Sequence, residues 1–263
     1  MTREGQGAKR ALLSIAGYDP SSGAGVLLDV AVFRRFGFMG TAILTSLTAQ
    51  NSRQVRDVRC LDGRWLLSQY AALKEDIPPS GIKVGMLGCR RNIPALESIL
   101  GRDRNIPIVV DPVLRSSSGR WLLEREAVPD FLKAIRGRVS ILTPNLHEAA
   151  LISGRRLENA ETIKEAARRI VDRIAAPCLV KGGHLASRIV DILYDGTEFS
   201  VFPHDRVPGD FHGTGCFLSA SLLCYLAAGK PLPEACGLAS EFTGYALRAA
   251  VRFGLGRKIF FLF

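Results

Sequence analysis

Along most of the chain, apolar runs of strand length alternate with stretches whose apolar residues recur every three or four positions. The first pair shows the rule. ALLSIAG (11–17) is apolar save one serine and stops at a glycine, while GVLLDVAVFRRFG (25–37) carries Val26, Leu27, Val30 and Phe33 at helical spacing. Unbroken or alternating apolarity predicts a strand, and a period near 3.6 predicts a helix. On this basis strands are expected at 11–17, 40–51, 81–87, 106–112, 140–145 and 177–183. Helices are expected at 25–37, 64–76, 91–101, 124–136, from Leu146, and at 158–175, 214–228 and 231–251. Pro94 fits the first turn of its helix. One segment breaks the rhythm. IVDILYDGTEFSVF (189–202) is two alternating runs joined at Asp195-Gly196, a hairpin signal.

Strand–helix alternation predicts an α/β fold of three layers, α/β/α. Its central sheet is mostly parallel, helices cover both faces, and the hairpin adds an antiparallel edge. No repeat or linker divides the chain, so a single domain is expected over 11–263, after a flexible segment at 1–10. In such sheets ligands bind beyond the carboxyl ends of the strands. The residues to inspect are therefore Gly17-Tyr18-Asp19, Gln50-Asn51, Met86-Leu87, Asp111-Pro112, Asn145 and Lys181-Gly182-Gly183.

Composition narrows the partners. The net charge of +10 is spread over scattered pairs such as Arg34-Arg35 and Arg90-Arg91, with no basic run of five and no interleaved aromatics, so nucleic acid is not an expected partner. A diffuse positive field still favours anionic substrates. No apolar run is long enough for a membrane span, and MTREGQGAKR has no signal-peptide core, which points to the cytoplasm. The terminal KIFFLF is expected to pack on the body or at a subunit contact. The six cysteines show no CxxC pair and the four histidines no HExxH or HxxxH, which argues against structural zinc. Without a secretion signal, a chain of this length is expected to keep its cysteines reduced and buried, with no disulfide framework.

Two nucleotide signatures are absent: there is no GxxxxGK[ST], and Leu218 stands where GxGxxG needs its third glycine. What remains is HGTGC (212–216), a glycine-bracketed turn that opens a helix. Free N–H groups and the positive end of the helix dipole suit such a turn to an anion, and a cysteine there has its thiolate favoured. A plain glycine turn is the bland alternative. SIAGYDPSSGAG (14–25) offers backbone N–H groups and hydroxyls before a helix, or else an ordinary Asp-Pro loop. Asp29 lies among apolar neighbours on the first helix, or simply on its solvated face. TPNLHEA (143–149) sets Asn145 and Glu148 three apart, suited to water-mediated Mg²⁺ and phosphate, or to an N-cap with its N3 glutamate. Lys181 in VKGGH ends a strand where a cation meets phosphate, or is solvated beside a turn.

Taken in order, AGYDPSSGAG, TSLTAQN, IKVGMLG, VVDPV, LTPNLHEA, VKGGH, DILYDG and HGTGC resemble the hydroxymethylpyrimidine/phosphomethylpyrimidine kinases of thiamine biosynthesis, in the ribokinase-like superfamily. The resemblance runs from about residue 11 to 250. It implies ATP-dependent, Mg²⁺-assisted phosphorylation of 4-amino-5-hydroxymethyl-2-methylpyrimidine and then of its monophosphate, by a homodimer. It also implies site residues. Gly17, Asp29, Gln50, Met86 and Val113 would contact the pyrimidine, with Asp29 and Gln50 bonding its amino group and ring nitrogens. Asn145, Glu148, Lys181 and Thr214 would serve the nucleotide, and Asp111 with Glu148 the Mg²⁺. Gly213, Gly215 and Cys216 would form the anion hole at the transferring phosphate. Sugar kinases of the superfamily carry an aspartate base at the position of Cys216; the sulfur would take the proton, or its backbone N–H would hold the oxyanion.

The chain departs from the family's wording at Tyr18 (Ser or Thr), Leu27-Leu28 (Gln-Ala), Ala31 (Lys), His147 (Pro) and in the loop Arg115–Gly119. These changes keep two alternatives open: a pyridoxal or pyridoxine kinase of the same superfamily, and a pyrimidine-binding protein without catalysis.

Overall fold

The structure is a computed structural model that describes residues 10–103, 105–116, 119–185 and 188–260. The amino-terminal segment expected to be flexible lies, up to residue 9, outside the described residues. Among those described, nine strands form one sheet: β1 (Ala11–Tyr18), β2 (Met39–Gln50), β3 (Val55–Cys60), β4 (Pro79–Val84), β5 (Ile108–Val110), β6 (Ile141–Leu142), β7 (Cys178–Leu185), β8 (Arg188–Tyr194) and β9 (Phe199–His204). The order across the sheet is β3-β2-β1-β4-β5-β6-β7-β8-β9. From β2 to β7 every neighbour is parallel, and the pairs β2–β3, β7–β8 and β8–β9 are antiparallel. The chain therefore winds outward from β1 to β3 and returns at β4, which puts a topological switch between β1 and β4. Ligand crevices open at such points.

Helices cover both faces. α1 (Gly25–Arg35), α7 (Thr214–Ala227) and α8 (Leu232–Ala249) share a core with Leu12, Val109, Ile141 and Leu179. α2 (Gly63–Asp76), α3 (Ile93–Arg102), α4 (Val128–Ile135), α5 (Leu146–Ser153) and α6 (Ala160–Ile174) share the other with Leu13, Ile108, Val110, Leu142 and Val180. Adjacent strand residues thus go to opposite cores, the alternation a strand imposes and the reason these runs are apolar throughout. α7 is buried nearly all round, from Phe217 to Cys224, because α1 and α8 flank it. α6 shows the opposite design: an Asn159–Thr162 capping box opens it, and only Ile163, Ala166, Ala167, Ile170 and Ile174 are buried. Phe260, in the terminal run expected to pack on the body, is buried against Phe217. No described helix is long and apolar enough to cross a membrane.

The layers and the mostly parallel sheet match the expectation, and the predicted hairpin is β8–β9, turned by Asp195, whose Oδ1 accepts from Thr197 and Glu198. Three details differ. β3 was not expected: VRDVRC is half charged and half-buried at best, the face of an exposed edge strand, so the sheet is antiparallel at both ends. β6 has two residues where a longer strand was expected, since the chain leaves the sheet to reach Asn145. The largest correction concerns the cysteines. Cys60, at the end of β3, is joined to Cys89 in the loop after β4, with Cα atoms 6.1 Å apart. A separation of 29 residues carries no signal in the sequence; strand pairing alone brings the two together. Cys178, Cys216, Cys224 and Cys236 are free.

This pairing predicts a thiol count. Air-purified protein, unfolded without reductant and alkylated, should carry label on four of its six cysteines and on all six after reduction. Six labelled cysteines before reduction would remove the bond.

Candidate active site

At the carboxyl ends of β1, β2, β4, β5, β6 and β7 lies a cavity of about 1060 Å³, closed on one side by the start of α7. Its lining includes Gly17, Tyr18, Gln50, Met86 and Val113, and also Asp111, Asn145, Glu148, Lys181, Gly213, Thr214, Gly215 and Cys216. Twelve residues with an expected role therefore share one cavity, and one does not.

The exception is Asp29. Its side chain has no exposed surface and does not line the cavity. Both carboxylate oxygens bond Lys83 Nζ, at 2.9 and 3.0 Å, and one also accepts from Ser14 Oγ at 2.6 Å. Lys83 is equally buried. Burial, the largest single effect, works to lower the Lys83 pKa, but the charges of Asp29, Cys216 and Asp111 and the hydrogen bond to Asp29 together outweigh it and the net shift is upward. An expected substrate contact is thus the half of an ion pair beneath the site floor. Helical spacing left open whether Asp29 is buried or solvated, and its substrate role was implied only by the family resemblance.

The glycine turn expected to hold an anion is built from backbone. Gly213 caps α7 with a φ of 82°, and a Cβ there would lie 1.9 Å from the carbonyl oxygen of Gly23. The β1–α1 loop and the start of α7 therefore meet backbone to backbone, which only glycine permits. A Cβ on Gly215 would lie 3.0 Å from Lys181 Nζ and 3.4 Å from Asp111 Oδ2, so this helix start faces that charged pair directly. Lys181 Nζ donates to Asp111 Oδ1 at 2.7 Å, and both side chains are more than nine-tenths buried.

Cys216 sits in the first turn of α7, half-buried among these charges. Removal from water pushes its thiol up to about 11, and Asp111 and Asp29 add to the rise; Lys83 and the Gly25 N–H oppose it. The helix-start position, expected to favour the thiolate, is overridden by burial.

Asn145 and Glu148 form a capping box on α5: Asn145 Oδ1 accepts from Glu148 N at 3.0 Å, and Glu148 Oε2 accepts from Asn145 N at 2.9 Å. Glu148 Oε1 also accepts from Leu114 N at 3.3 Å. The bland and functional readings of this spacing coincide, since the cap holds Glu148 in the cavity wall. Burial, then the charge of Asp111, pushes its carboxyl up to about 7. No group of three or more metal-ligating side chains occurs among the described residues. Two neighbouring buried carboxylates beside the start of α7 nonetheless suit Mg²⁺, which takes one or two protein carboxylates and leaves other positions to phosphate and water.

Sequence reasoning gave no role to Asp19 or His212, which meet across the cavity mouth at 2.7 Å, with Gln50 2.8 Å from the same imidazole nitrogen. Both had been quoted within loop motifs, and only the fold brings them together. Lys83 was also missed, although a lysine inside an apolar strand is a visible anomaly. Of the departures from the family wording, Tyr18 and His147 line the cavity; Leu27, Leu28 and Ala31 do not.

The mostly parallel sheet, covered by helices on both faces, has the layers of a ribokinase-like fold. A family model described as phosphomethylpyrimidine kinase matches residues 19–260. A hydroxymethylpyrimidine/phosphomethylpyrimidine kinase of Aquifex aeolicus is 37% identical over 250 residues, 94% of this chain and 98% of that protein. The pyridoxal kinase of Staphylococcus aureus in complex with AMP-PCP superposes with a TM-score of 0.87 at 29% identity, covering 97% of this chain and 93% of that one. The phosphomethylpyrimidine kinase of Clostridium difficile 630 does so with a TM-score of 0.79 at 34% identity, covering 91% and 100%. The chain belongs to the phosphomethylpyrimidine kinase family.

The buried pair makes a stability prediction. Lys83→Met leaves Asp29 uncompensated and should lower the unfolding free energy in urea by about 3–5 kcal/mol. Adding Asp29→Leu should recover most of that loss. A single-mutant cost no larger than that of a surface lysine would show that the pair does not hold this region.

Proposed function

We propose that the protein transfers the γ-phosphoryl group of ATP to 4-amino-5-hydroxymethyl-2-methylpyrimidine, and then to its monophosphate, in thiamine biosynthesis. The observation that carries this reading is the single cavity of about 1060 Å³ that runs from Gln50 to Lys181. A substrate and a nucleotide placed end to end fit such a volume. The pyrimidine lies between Gly17, Met86 and Val113, with Gln50 bonding its polar edge. Its hydroxymethyl group points to the start of α7. The nucleotide phosphates lie against Asn145, Lys181 and Thr214, with the nucleoside toward Ser240, Thr243 and Gly244, which line the same cavity.

Phosphoryl transfer requires positioning and charge stabilisation more than covalent help from the protein. The N–H groups of Gly215 and Cys216 point from a helix start to where the transferring oxygens gather charge. Lys181 adds a cation whose position is fixed by Asp111. Asp111 and Glu148 would hold Mg²⁺, which when bound neutralises charge on the phosphoryl oxygens. The Cys216 sulfur takes the proton of the substrate hydroxyl as the new O–P bond forms. Because burial keeps this thiol neutral at pH 7, only its small ionised fraction is competent, and that fraction grows about tenfold per pH unit until the pKa near 11 is reached.

Within this reading the enzyme works in the cytoplasm, where reducing thiols have access to the Cys60–Cys89 bond. It works as a homodimer, for which the exposed Met39, Leu47, Phe253 and Leu255 offer apolar surface. A second reading, pyridoxal phosphorylation, is favoured by Tyr18 on the cavity wall and by the likeness to the S. aureus pyridoxal kinase.

With ATP and Mg²⁺, the purified protein should release ADP on the pyrimidine alcohol and its monophosphate faster than on pyridoxal or pyridoxine. The reverse ranking would move the assignment to the second reading, and binding without turnover would leave a non-catalytic protein. Cys216→Ala should lower kcat by about 10²–10⁴-fold. In the wild type kcat should climb between pH 7 and 9.5, and the variant should lose that climb. A flat wild-type profile with a few-fold loss would give the work to the backbone N–H groups instead.

A further inference from the structure

Gln50 presents a carboxamide to the cavity, and its two arms are nearly equal in size. Which arm is oxygen is decided by its partners. The structure sets the amide nitrogen 2.8 Å from His212 Nε2 and the amide oxygen 3.3 Å from Thr48 Oγ1, and the partners' own commitments reverse that choice. Each partner has a prior commitment. His212 Nε2 is also 2.7 Å from Asp19 Oδ2, and Asp19 is fixed by two further donors, the N–H and hydroxyl of Ser21 at 2.9 and 2.7 Å on its other oxygen. Burial works to raise the Asp19 carboxyl, but the bonds from His212 and Ser21 hold it below its usual range. A carboxylate only accepts, so the hydrogen must be on His212 Nε2. An imidazole nitrogen that bears a hydrogen has no lone pair left, so the Gln50 arm facing it must be the oxygen, which shares that one hydrogen with Asp19 Oδ2. Thr48 gives the same answer independently. Its hydroxyl donates to Tyr18 O at 2.9 Å, which leaves its lone pairs to accept, so the arm facing Thr48 must be the NH₂.

We infer that His212 is a positioning residue that, with Asp19, locks the Gln50 carboxamide in one of its two orientations and thereby selects the hydrogen-bonding edge of the substrate. Left free, the amide turns about its last bond and reads either edge of a pyrimidine. A 4-amino group beside a bare ring nitrogen offers donor then acceptor. A 4-oxo group beside a ring N–H offers acceptor then donor. The locked amide, with oxygen on the His212 side and NH₂ on the Thr48 side, pairs with only one of these orders, and the other leaves polar groups unmatched. His212 is itself anchored away from the ligand: its backbone N–H donates to Lys258 O at 2.9 Å. It therefore moves with the segment that also carries the turn into α7. This inference rests on the pyrimidine reading of the site.

The test compares phosphorylation of the 4-amino substrate with that of its 4-oxo analogue in wild type, His212→Leu and His212→Gln. The wild type should prefer the 4-amino compound in kcat/KM by about a hundredfold or more. His212→Leu should reduce this preference at least tenfold, mainly through KM, with kcat on the 4-amino substrate changed little. His212→Gln restores a donor toward Gln50 and should return part of the preference. A His212→Leu enzyme that loses rate equally on both compounds, with the preference intact, would overturn the inference in favour of a purely structural role. The ¹⁵N spectrum of histidine-labelled protein at pH 8, which is independent of what the enzyme phosphorylates, should show a hydrogen on Nε2 of His212. A hydrogen on Nδ1 alone would also overturn it. Absence of turnover on both compounds in the wild type would remove the pyrimidine reading, with the spectrum still deciding the lock.

Discussion

The site stands on the ion pair between Lys83 and Asp29. Neither side chain has exposed surface, and charges so placed persist only when each satisfies the other. The pair spans three elements at the one place where the sheet changes direction: Lys83 on β4, Asp29 on α1, and Ser14 on β1 as a further donor. Ser14 and Lys83 are register partners in the parallel ladder, so the polar contact reinforces the backbone pairing. Gly85 follows two residues later, and a Cβ there would lie 3.0 Å from the Lys83 ammonium. Room for the charge is thus written into the strand that carries it.

From this foundation the chemistry follows upward. The ammonium of Lys83 lies under Cys216 and opposes, without cancelling, the rise that burial imposes on the thiol. The α7 start is held against the β1–α1 loop by the Gly213–Gly23 contact, so these two segments of the cavity wall share a fixed spacing. On the far side, Glu148 accepts from Leu114 and Asn145, stitching the loop after β5 to the start of α5. Asp111 is fixed in turn by Lys181. The residues that line the cavity are therefore held by one another and by neighbours outside it, the fixed positioning that phosphoryl transfer requires.

Much of this was legible beforehand because periodicity reports which residues end a strand. Gly17, Gln50, Met86, Asp111 and Asn145 fall at or just beyond carboxyl ends of strands, and Lys181 lies within β7 where it bridges Asn145, which brings them to one cavity. Depth and pairing were less legible. Asp29 was expected at the substrate from the family resemblance, and helical spacing alone could not tell a buried position from a solvated one. β3 looked like a loop because an edge strand with one solvated face needs few apolar residues. Cys60–Cys89 and Asp19–His212–Gln50 depend on contacts between segments far apart in the chain, which spacing does not encode. The cysteine environment reversed an expectation as well: the helix dipole favours a thiolate, but burial is the larger effect.

The arrangement of the sheet also sets an order of assembly. Its antiparallel ends are local: β2 meets β3 across a four-residue turn, and β8 meets β9 in the same way. Such hairpins close within microseconds. The seam between β1 and β4 joins Ala11 to Pro79, with two strands and two helices in between, and long-range parallel pairing is slow because the entropy of closing that loop is lost before contacts repay it. The switch point, where the buried ion pair lies, therefore forms after the rims. An enzyme assembled in this sequence acquires its active site as nearly the last act of folding.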